Sequence, residues 1–321
     1  MITEKIEIQN MQKEDINEAV NLWIKQHYLY CTGENFPQYW CENTEEIRIT
    51  LENQIQSNNA LVAKRDNQIV GFLGFFVFDF HCEKSVLCNI TSHSAEEDSK
   101  EQIYLELYKH ASKLWVEQNI FNHLWMFFYQ DERLKSFLYD FGFGSHVVDA
   151  YSRPNEVNVM CECSYSIRLA TLDDLMAMQE IVDESALYYK KEPLFLKREV
   201  VSSDKLRSLI ERNNIFIVCD GDNIIGFMNI NRSEENDAEI LSVINYGMID
   251  ELGAYIKPEY RGKNVGVHLL GMIFKYCREN KMDLIHVSFE TANPFANHFW
   301  RKYFTPTILS VRRTINKDAN S

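Results

Sequence analysis

The sequence predicts two α/β domains in tandem, each a mixed sheet with helices packed on its faces. Three observations carry this expectation. The chain has 321 residues, more than one hydrophobic core usually organises and a comfortable length for two. An order of strand, amphipathic helix and hairpin occurs twice, and an internal repeat constrains architecture more strongly than any single element. In the second copy, a strand then runs through a glycine-containing loop directly into a helix.

In the first copy, Ile6 to Asn10 alternates as a strand, and Lys13-Glu14-Asp15 opens a helix whose apolar stripe runs through Ala19, Val20 and Trp23. In the second, Tyr165 to Leu169 is the strand and Thr171 the N-cap. Asp173 and Asp174 there place negative charge where the helix dipole favours it, and Leu175, Met178 and Val182 continue the stripe. Next come the hairpins: Ala60 to Lys64 with Gln68 to Phe78 across Arg65-Asp66-Asn67, and Ile215 to Cys219 with Ile224 to Asn229 across Asp220-Gly221-Asp222-Asn223. Each second strand holds a glycine after two apolar residues, Gly71 and Gly226, which predicts a bulge or a close backbone approach. Ser145 to Tyr165 connects the halves, with Pro154 marking extended chain, and places the domains at 1–160 and 161–321. Asn231 to Asp237 reads as a surface hairpin tip without catalytic residues.

The net charge of −14 argues against a nucleic-acid surface and favours cationic partners, although an acidic surface also serves solubility. The eight cysteines lack paired metal-ligand spacing and read as free thiols, with no metal site expected. Cys161 and Cys163 read as linker residues, two ligands alone making a poor metal site. The start of the chain is charged and no run is long enough to span a bilayer, so a cytoplasmic protein without membrane contact is expected. The oligomeric state is not legible.

The segment that carries chemistry begins at Glu251-Leu252-Gly253-Ala254-Tyr255-Ile256-Lys257, which alternates like a strand and stops at Pro258. Arg261-Gly262-Lys263-Asn264-Val265-Gly266 then opens a helix with Leu269, Leu270, Ile273, Phe274 and Cys277 at helical spacing. Backbone N–H groups and the helix dipole at such a start favour a pyrophosphate, and small residues let the ligand come close. A second strand, Leu284 to Phe289, feeds the helix Thr291 to Lys302; two parallel strands that splay leave a slot between them for a long thin ligand.

These residues resemble the GNAT superfamily of acetyltransferases. Ile256 to Gly266 follows the family's coenzyme A signature in register, except that Asn264 stands where the first glycine is expected; asparagine tolerates the left-handed backbone better than most residues. The resemblance implies acetyl-CoA held by Ala254, Tyr255, Ile256 and Lys257 on the strand, by Arg261, Gly262, Lys263, Asn264, Val265 and Gly266 at the loop, and by Asn293, Ala296, Phe299 and Trp300 on the following helix. It implies direct attack by a primary amine, without a covalent enzyme intermediate. A backbone N–H between Gly253 and Ile256 would polarise the acyl carbonyl. Glu251 is the candidate base, with Asp250 and Glu290 nearby; a solvated strand end is an equal reading for Glu251. Trp300 falls where the family's tyrosine acid stands and cannot protonate a thiolate, so Tyr303 or solvent takes that part. His286 reads as packing and His298 as surface.

The first half keeps the family's later elements, His123 to Tyr129 and Phe137 to Phe143. Where the phosphate loop should follow the strand Val86 to Ile90, however, it carries Thr91 to Lys100 with Glu96-Glu97-Asp98 and no glycine, a loop that repels pyrophosphate. It reads as a degenerate copy. Its aromatic residues Phe36 to Trp40, with Tyr28 and Tyr30, either recognise the acceptor or simply pack. The expected function is an N-acetyltransferase acting on a primary amine; the acidity suits a cationic small molecule such as a polyamine or an amino sugar, and a peptide or protein amine stays open. The alternative is a non-catalytic acyl-CoA sensor or scaffold, which Trp300 and Asn264 favour.

Overall fold

The structure, a computed structural model, describes residues 5–154, 164–212 and 214–320. Cys161, Cys163 and the expected boundary near residue 160 lie outside the described residues. The chain forms two units. The first takes residues up to Asp149 together with Asn236–Ser242 and Pro306–Ser321, and the second takes Ala150–Glu235 and Val243–Thr305.

The first unit holds, in order, β1 (Glu7–Asn10), α1 (Ile16–Tyr30), α2 (Tyr39–Glu42), α3 (Glu45–Gln56), β2 (Ala60–Arg65), β3 (Gln68–Gly74), β4 (Phe76–Phe80), β5 (Glu83–Cys88), β6 (His93–Ala95), α4 (Lys100–Glu117), β7 (Asn122–Phe128) and α5 (Glu132–Asp140), then most of β8 (Gly144–Ser152). Its antiparallel sheet has the order β1-β2-β3-β6. Beside it β5 runs parallel to β7. The second unit holds β9 (Ser166–Leu169), α6 (Leu175–Lys190), α7 (Ser203–Glu211), β10 (Ile215–Asp220), β11 (Asn223–Asn229), β12 (Asn231–Arg232), β13 (Gly247–Ile249), β14 (Ala254–Ile256), α8 (Val265–Glu279), β15 (Ile285–Glu290) and α9 (Pro294–Tyr303). Its sheet has the order β14-β11-β10-β9, and β13 runs parallel to β15. The last strand, β16 (Thr305–Thr314), pairs antiparallel with β7, so residues from the end of the chain help complete the first unit.

Both hairpins form with the expected bulges. The ladder skips a residue beside Gly71, where register passes from Ala63↔Gly71 to Lys64↔Ile69, and again beside Gly226, from Val218↔Gly226 to Cys219↔Ile224. The glycines are needed because a Cβ at Gly71 would stand 2.5 Å from Ile103 and one at Gly226 would stand 2.8 Å from the Tyr255 carbonyl. Three expected elements differ. Gln68 to Phe78 breaks between β3 and β4. Thr91 to Lys100 is not all loop, since His93–Ala95 pairs with β3. The connection after Ser145 begins as the strand β8, up to Ser152. Periodicity detects the alternation of side chains but not where the ladder changes partner.

α6 begins where Thr171 and Asp174 form a reciprocal cap. Its apolar stripe, Leu175, Met178, Ile181 and Val182, packs with Leu206 and Leu209 of α7 and with Ile217, Phe227 and Tyr255 of the sheet. In the first unit, burial holds the imidazoles of His27, His93 and His123 down to about 4. The unfolded chain takes up these protons near the ordinary value of 6.5, so the stability that the neutral rings contribute is complete above that pH and is lost as pH falls toward 4. Melting curves recorded across this window should show the first unit's transition moving steadily to lower temperature with acidification.

Candidate functional site

β13 and β14 pair with different neighbours, and the chain bulges between them in the turn Asp250 to Gly253, whose Gly253 N–H donates to the Asp250 carbonyl at 2.7 Å. Glu251 and Gly253 both adopt positive φ, 50° and 67°. For a glutamate this is sparsely populated backbone, of the kind found at functional sites. β14 is an edge strand. The Gly253 carbonyl accepts from Asn229 N–H and Lys257 N–H donates to the Ile225 carbonyl, each at 3.0 Å, so these residues turn their backbone toward β11. By alternation Ala254 and Ile256 turn theirs the other way, along the free edge.

That edge leads to the start of α8. Gly262 has φ 74°, and no atom lies within 4 Å of the Cβ it lacks. Asn264 caps α8 in the left-handed conformation, φ 61°, as the sequence predicts. Gly266 brings α8 close to α9 and β14: a Cβ there would stand 3.2 Å from Phe299 of α9 and 3.5 Å from Ile256 of β14. Arg261 folds back along the same edge. Its Nε donates to the Ile256 carbonyl at 3.0 Å, and its guanidinium lies 4.4 Å from the Tyr188 ring centroid and 5.4 Å from that of Phe295. The left-handed cap predicts that Asn264→Ala lowers stability by about 1 kcal/mol while Asn264→Gly does not, which chemical denaturation measures.

The structure thus places Ile256, Gly266 and Phe299 together at the start of α8 with Arg261 bonded to Ile256, while Ala254 lies further along the same edge and Gly262 and Asn264 lie in the turn before the helix. Other expected residues face elsewhere. Tyr255 points into the α6–α7 core and donates to Glu184 at 2.9 Å, and Lys257 lies 3.9 Å from the same carboxylate. Val265 is core, Lys263 sits by the Tyr260 ring, and Ala296 is half-buried on α9. The Asn293 side chain caps α9 by accepting from Ala296 N–H at 3.2 Å. Trp300 is buried, its ring edge-on to Phe299 and Phe304; Tyr303 is half-buried, 5.3 Å from Phe299. Where the sequence suggested a packing role for His286, the ring is buried against Tyr151.

The bulge carries a polar cluster. Glu251 accepts from Arg212 at 3.0 Å and from Asn231 at 2.9 Å, and Asn231 also donates to Asp250. Asp250 reaches solvent, yet the crowding of the bulge partly desolvates its carboxylate and, with Glu251 beside it, pushes it above the ordinary carboxylate range; hydrogen bonds from Asn231 and Asn229 act in the opposite direction. On the other side of the bulge, Arg198 donates to the Leu252 carbonyl at 3.0 Å and lies over Tyr189. Sequence reading missed Arg198, Asn214, Asn229 and Asn231, since a lone polar residue in a loop or strand end carries no periodic signal. It also set Asn231 aside as part of a surface tip.

The first unit has the same frame with its slot filled. β6 is the edge strand and Ser99 caps α4 in the left-handed conformation, φ 63°, as Asn264 does α8. Here His93 crosses the gap, one ring nitrogen 2.7 Å from the Met126 carbonyl on β7 and the other 2.9 Å from the Tyr104 hydroxyl. Lys100, 1% exposed, places its ammonium against Asp131 (2.8 Å), Glu97 (2.5 Å), Gln26 (2.9 Å) and the Tyr30 hydroxyl (2.7 Å). The loop before it is the acidic run Glu96-Glu97-Asp98.

Among the described residues no group of three or more His, Cys, Asp or Glu could hold a metal, and no helix is long and apolar enough to cross a membrane. The sequence pattern of the acetyltransferase (GNAT) family matches residues 177–304, which span the bulge, the slot, α8 and α9. No curated protein matches the sequence. Among solved structures, a GCN5-related N-acetyltransferase from Sphaerobacter thermophilus is similar with a TM-score of 0.58 at 11% identity, over 98% of this chain and 97% of that one. A GCN5-related glucosamine N-acetyltransferase region of a fungal multi-domain beta-N-acetylglucosaminidase gives 0.54 at 9% identity, over 98% of this chain and 38% of that one. At these identities the likeness is one of fold, and it extends to both units. Residues 177–304 thus match the acetyltransferase (GNAT) family, and both units share the fold of a solved GCN5-related N-acetyltransferase.

Proposed function

We propose that the second unit binds acetyl-CoA along the free edge of β14 and transfers acetyl to a primary amine by direct attack. The observation that carries this reading is the contrast between two copies of one slot. Gly262 leaves open space before α8 in the second, while Lys100 and His93 fill the first with protein. Acetyl-CoA when bound supplies an activated acyl carbonyl and a thiolate leaving group. The outward backbone groups of Ala254 and the outward N–H of Ile256, whose carbonyl already accepts from Arg261, are suited to the amides of a pantetheine arm, and the first-turn N–H groups of α8, with Arg261 and Lys263, to a pyrophosphate.

The protein's own groups then divide the proton work. The attacking amine must be neutral, and a carboxylate near the bulge removes its proton. Asp250 is better placed for this than Glu251, which is held by a salt bridge to Arg212 and a hydrogen bond from Asn231. The buried Trp300 offers no acid; Tyr303, beside the Phe299 that packs over Gly266, or solvent protonates the departing sulfur. The same Trp300 favours a second reading, a protein that holds acyl-CoA without turnover. Thiol release from acetyl-CoA with a panel of primary amines separates the two. Amine-dependent release supports transfer, whereas acetyl-CoA binding with no release for any amine supports the sensor.

A further inference from the structure

We infer that Cys41 of the first unit is a peroxide-reactive thiol, whose sulfur attacks hydrogen peroxide while His27 takes the S–H proton. The arrangement is that of an activated nucleophile, in which a thiol faces a base that a third group holds in place. Cys41 Sγ lies 3.1 Å from Nδ1 of His27, and Nε2 of the same ring lies 2.9 Å from the Pro37 carbonyl oxygen. A carbonyl only accepts, so Nε2 carries the ring proton and Nδ1 presents its lone pair to the thiol. The ring is fully buried and packs on Trp23 and Phe128, at centroid distances of 5.2 and 5.6 Å, which fixes its orientation. The Tyr28 hydroxyl hydrogen-bonds the same sulfur as a donor, a bond that favours negative charge there.

Access and charge select the reagent. Cys41 is half-buried, whereas Cys31, Cys88, Cys219 and Cys277 are buried; the exposed Cys82 thiol has no hydrogen-bond partner among the described residues. The titratable groups around the Cys41 sulfur are His27 and Tyr28 of α1, Cys31 just beyond it, and Glu42 of α2. The exposed Glu42 repels an anionic oxidant such as glutathione disulfide, and a half-buried sulfur favours a small one; hydrogen peroxide is small and neutral. Burial pushes the thiol up to about 11 and holds the imidazole down to about 4, so both partners are neutral between these values and the proton moves as the sulfur attacks. The S–O bond forms as the O–O bond breaks. The proton taken up by Nδ1 passes to the departing hydroxide, which leaves as water. Sulfur is oxidised to a sulfenic acid and the peroxide is reduced; a second thiol restores the cysteine.

The test exposes the full chain to hydrogen peroxide at each pH, removes the peroxide with catalase, traps sulfenic acid with dimedone at one fixed pH, and locates oxidised cysteines by fragmentation mass spectrometry. At neutral pH Cys41 should be oxidised about tenfold faster than Cys82, or more. Because the neutral pair is the reactive form, the Cys41 rate should change by less than about threefold between roughly pH 5 and 8, while the Cys82 rate rises about tenfold per pH unit with its thiolate. His27→Gln should lower the Cys41 rate by about tenfold or more and give it the thiolate slope, and Tyr28→Phe should lower it about threefold with the melting temperature unchanged. Faster oxidation of Cys82, a thiolate slope at Cys41 in the wild type, or faster reaction of Cys41 with glutathione disulfide than with hydrogen peroxide would overturn the proposal. The wild-type pH profile decides between these outcomes even where His27→Gln does not fold.

Discussion

Asp250→Asn is expected to lower kcat for amine acetylation by about 10²- to 10⁴-fold, the usual contribution of a positioned general base, with acetyl-CoA affinity unchanged. Asparagine keeps the size and one acceptor of the side chain but cannot take a proton. Glu251→Gln should have a smaller effect, because Glu251 is already committed to Arg212 and Asn231. The pH profile gives an independent check. Asp250 must be ionised to act, and its carboxyl is pushed above the ordinary range, so the acid limb of kcat should lie higher in pH than for an unperturbed aspartate and should vanish in Asp250→Asn. A larger loss in Glu251→Gln than in Asp250→Asn would reverse the assignment.

Lys100→Met should destabilise the first unit by about 3–5 kcal/mol, the cost of leaving a buried carboxylate without its partner. Lys100 is enclosed by Asp131, Glu97, Gln26 and Tyr30, and methionine fills similar volume without satisfying any of them. Pairing the change with Asp131→Leu should recover part of the loss, since the buried carboxylate is then gone and Glu97 keeps Arg133 at 3.6 Å, while the cap that Asp131 gives Leu134 N–H is lost. Differential scanning calorimetry reads both variants. An unchanged transition in Lys100→Met would show that this cation does not hold the filled slot together.

Much of the site was legible in the sequence because its elements are local. The hairpins announced themselves through Asp66-Asn67 and Gly221-Asp222, the bulges through Gly71 and Gly226, and the start of α8 through Gly262 to Gly266. Asn264 was readable as a left-handed cap from its chemistry alone, and its φ of 61° agrees. Non-local relations were not legible. Glu251 to Lys257 alternates as one strand, yet only Ala254–Ile256 keeps the ladder, because the change of partner from β15 to β11 depends on chain segments distant in sequence. Lys100 would ordinarily be placed at the surface. Its burial follows from Gln26 and Asp131, 74 and 31 residues away. The pairing of β16 with β7, such as Val311↔Trp125, likewise has no local signature.

The central claim is that the second slot takes acetyl-CoA and the first does not, and isothermal titration of acetyl-CoA into the full chain, alongside a Gly266→Trp variant, tests it most directly. A Cβ at Gly266 already presses on Phe299 at 3.2 Å, so an indole there closes the slot; circular dichroism and an unchanged first-unit melting transition establish that the variant is folded. The account predicts one site per chain in the wild type and none in the folded variant. Two sites, no binding to the wild type, or a site that survives Gly266→Trp would contradict it.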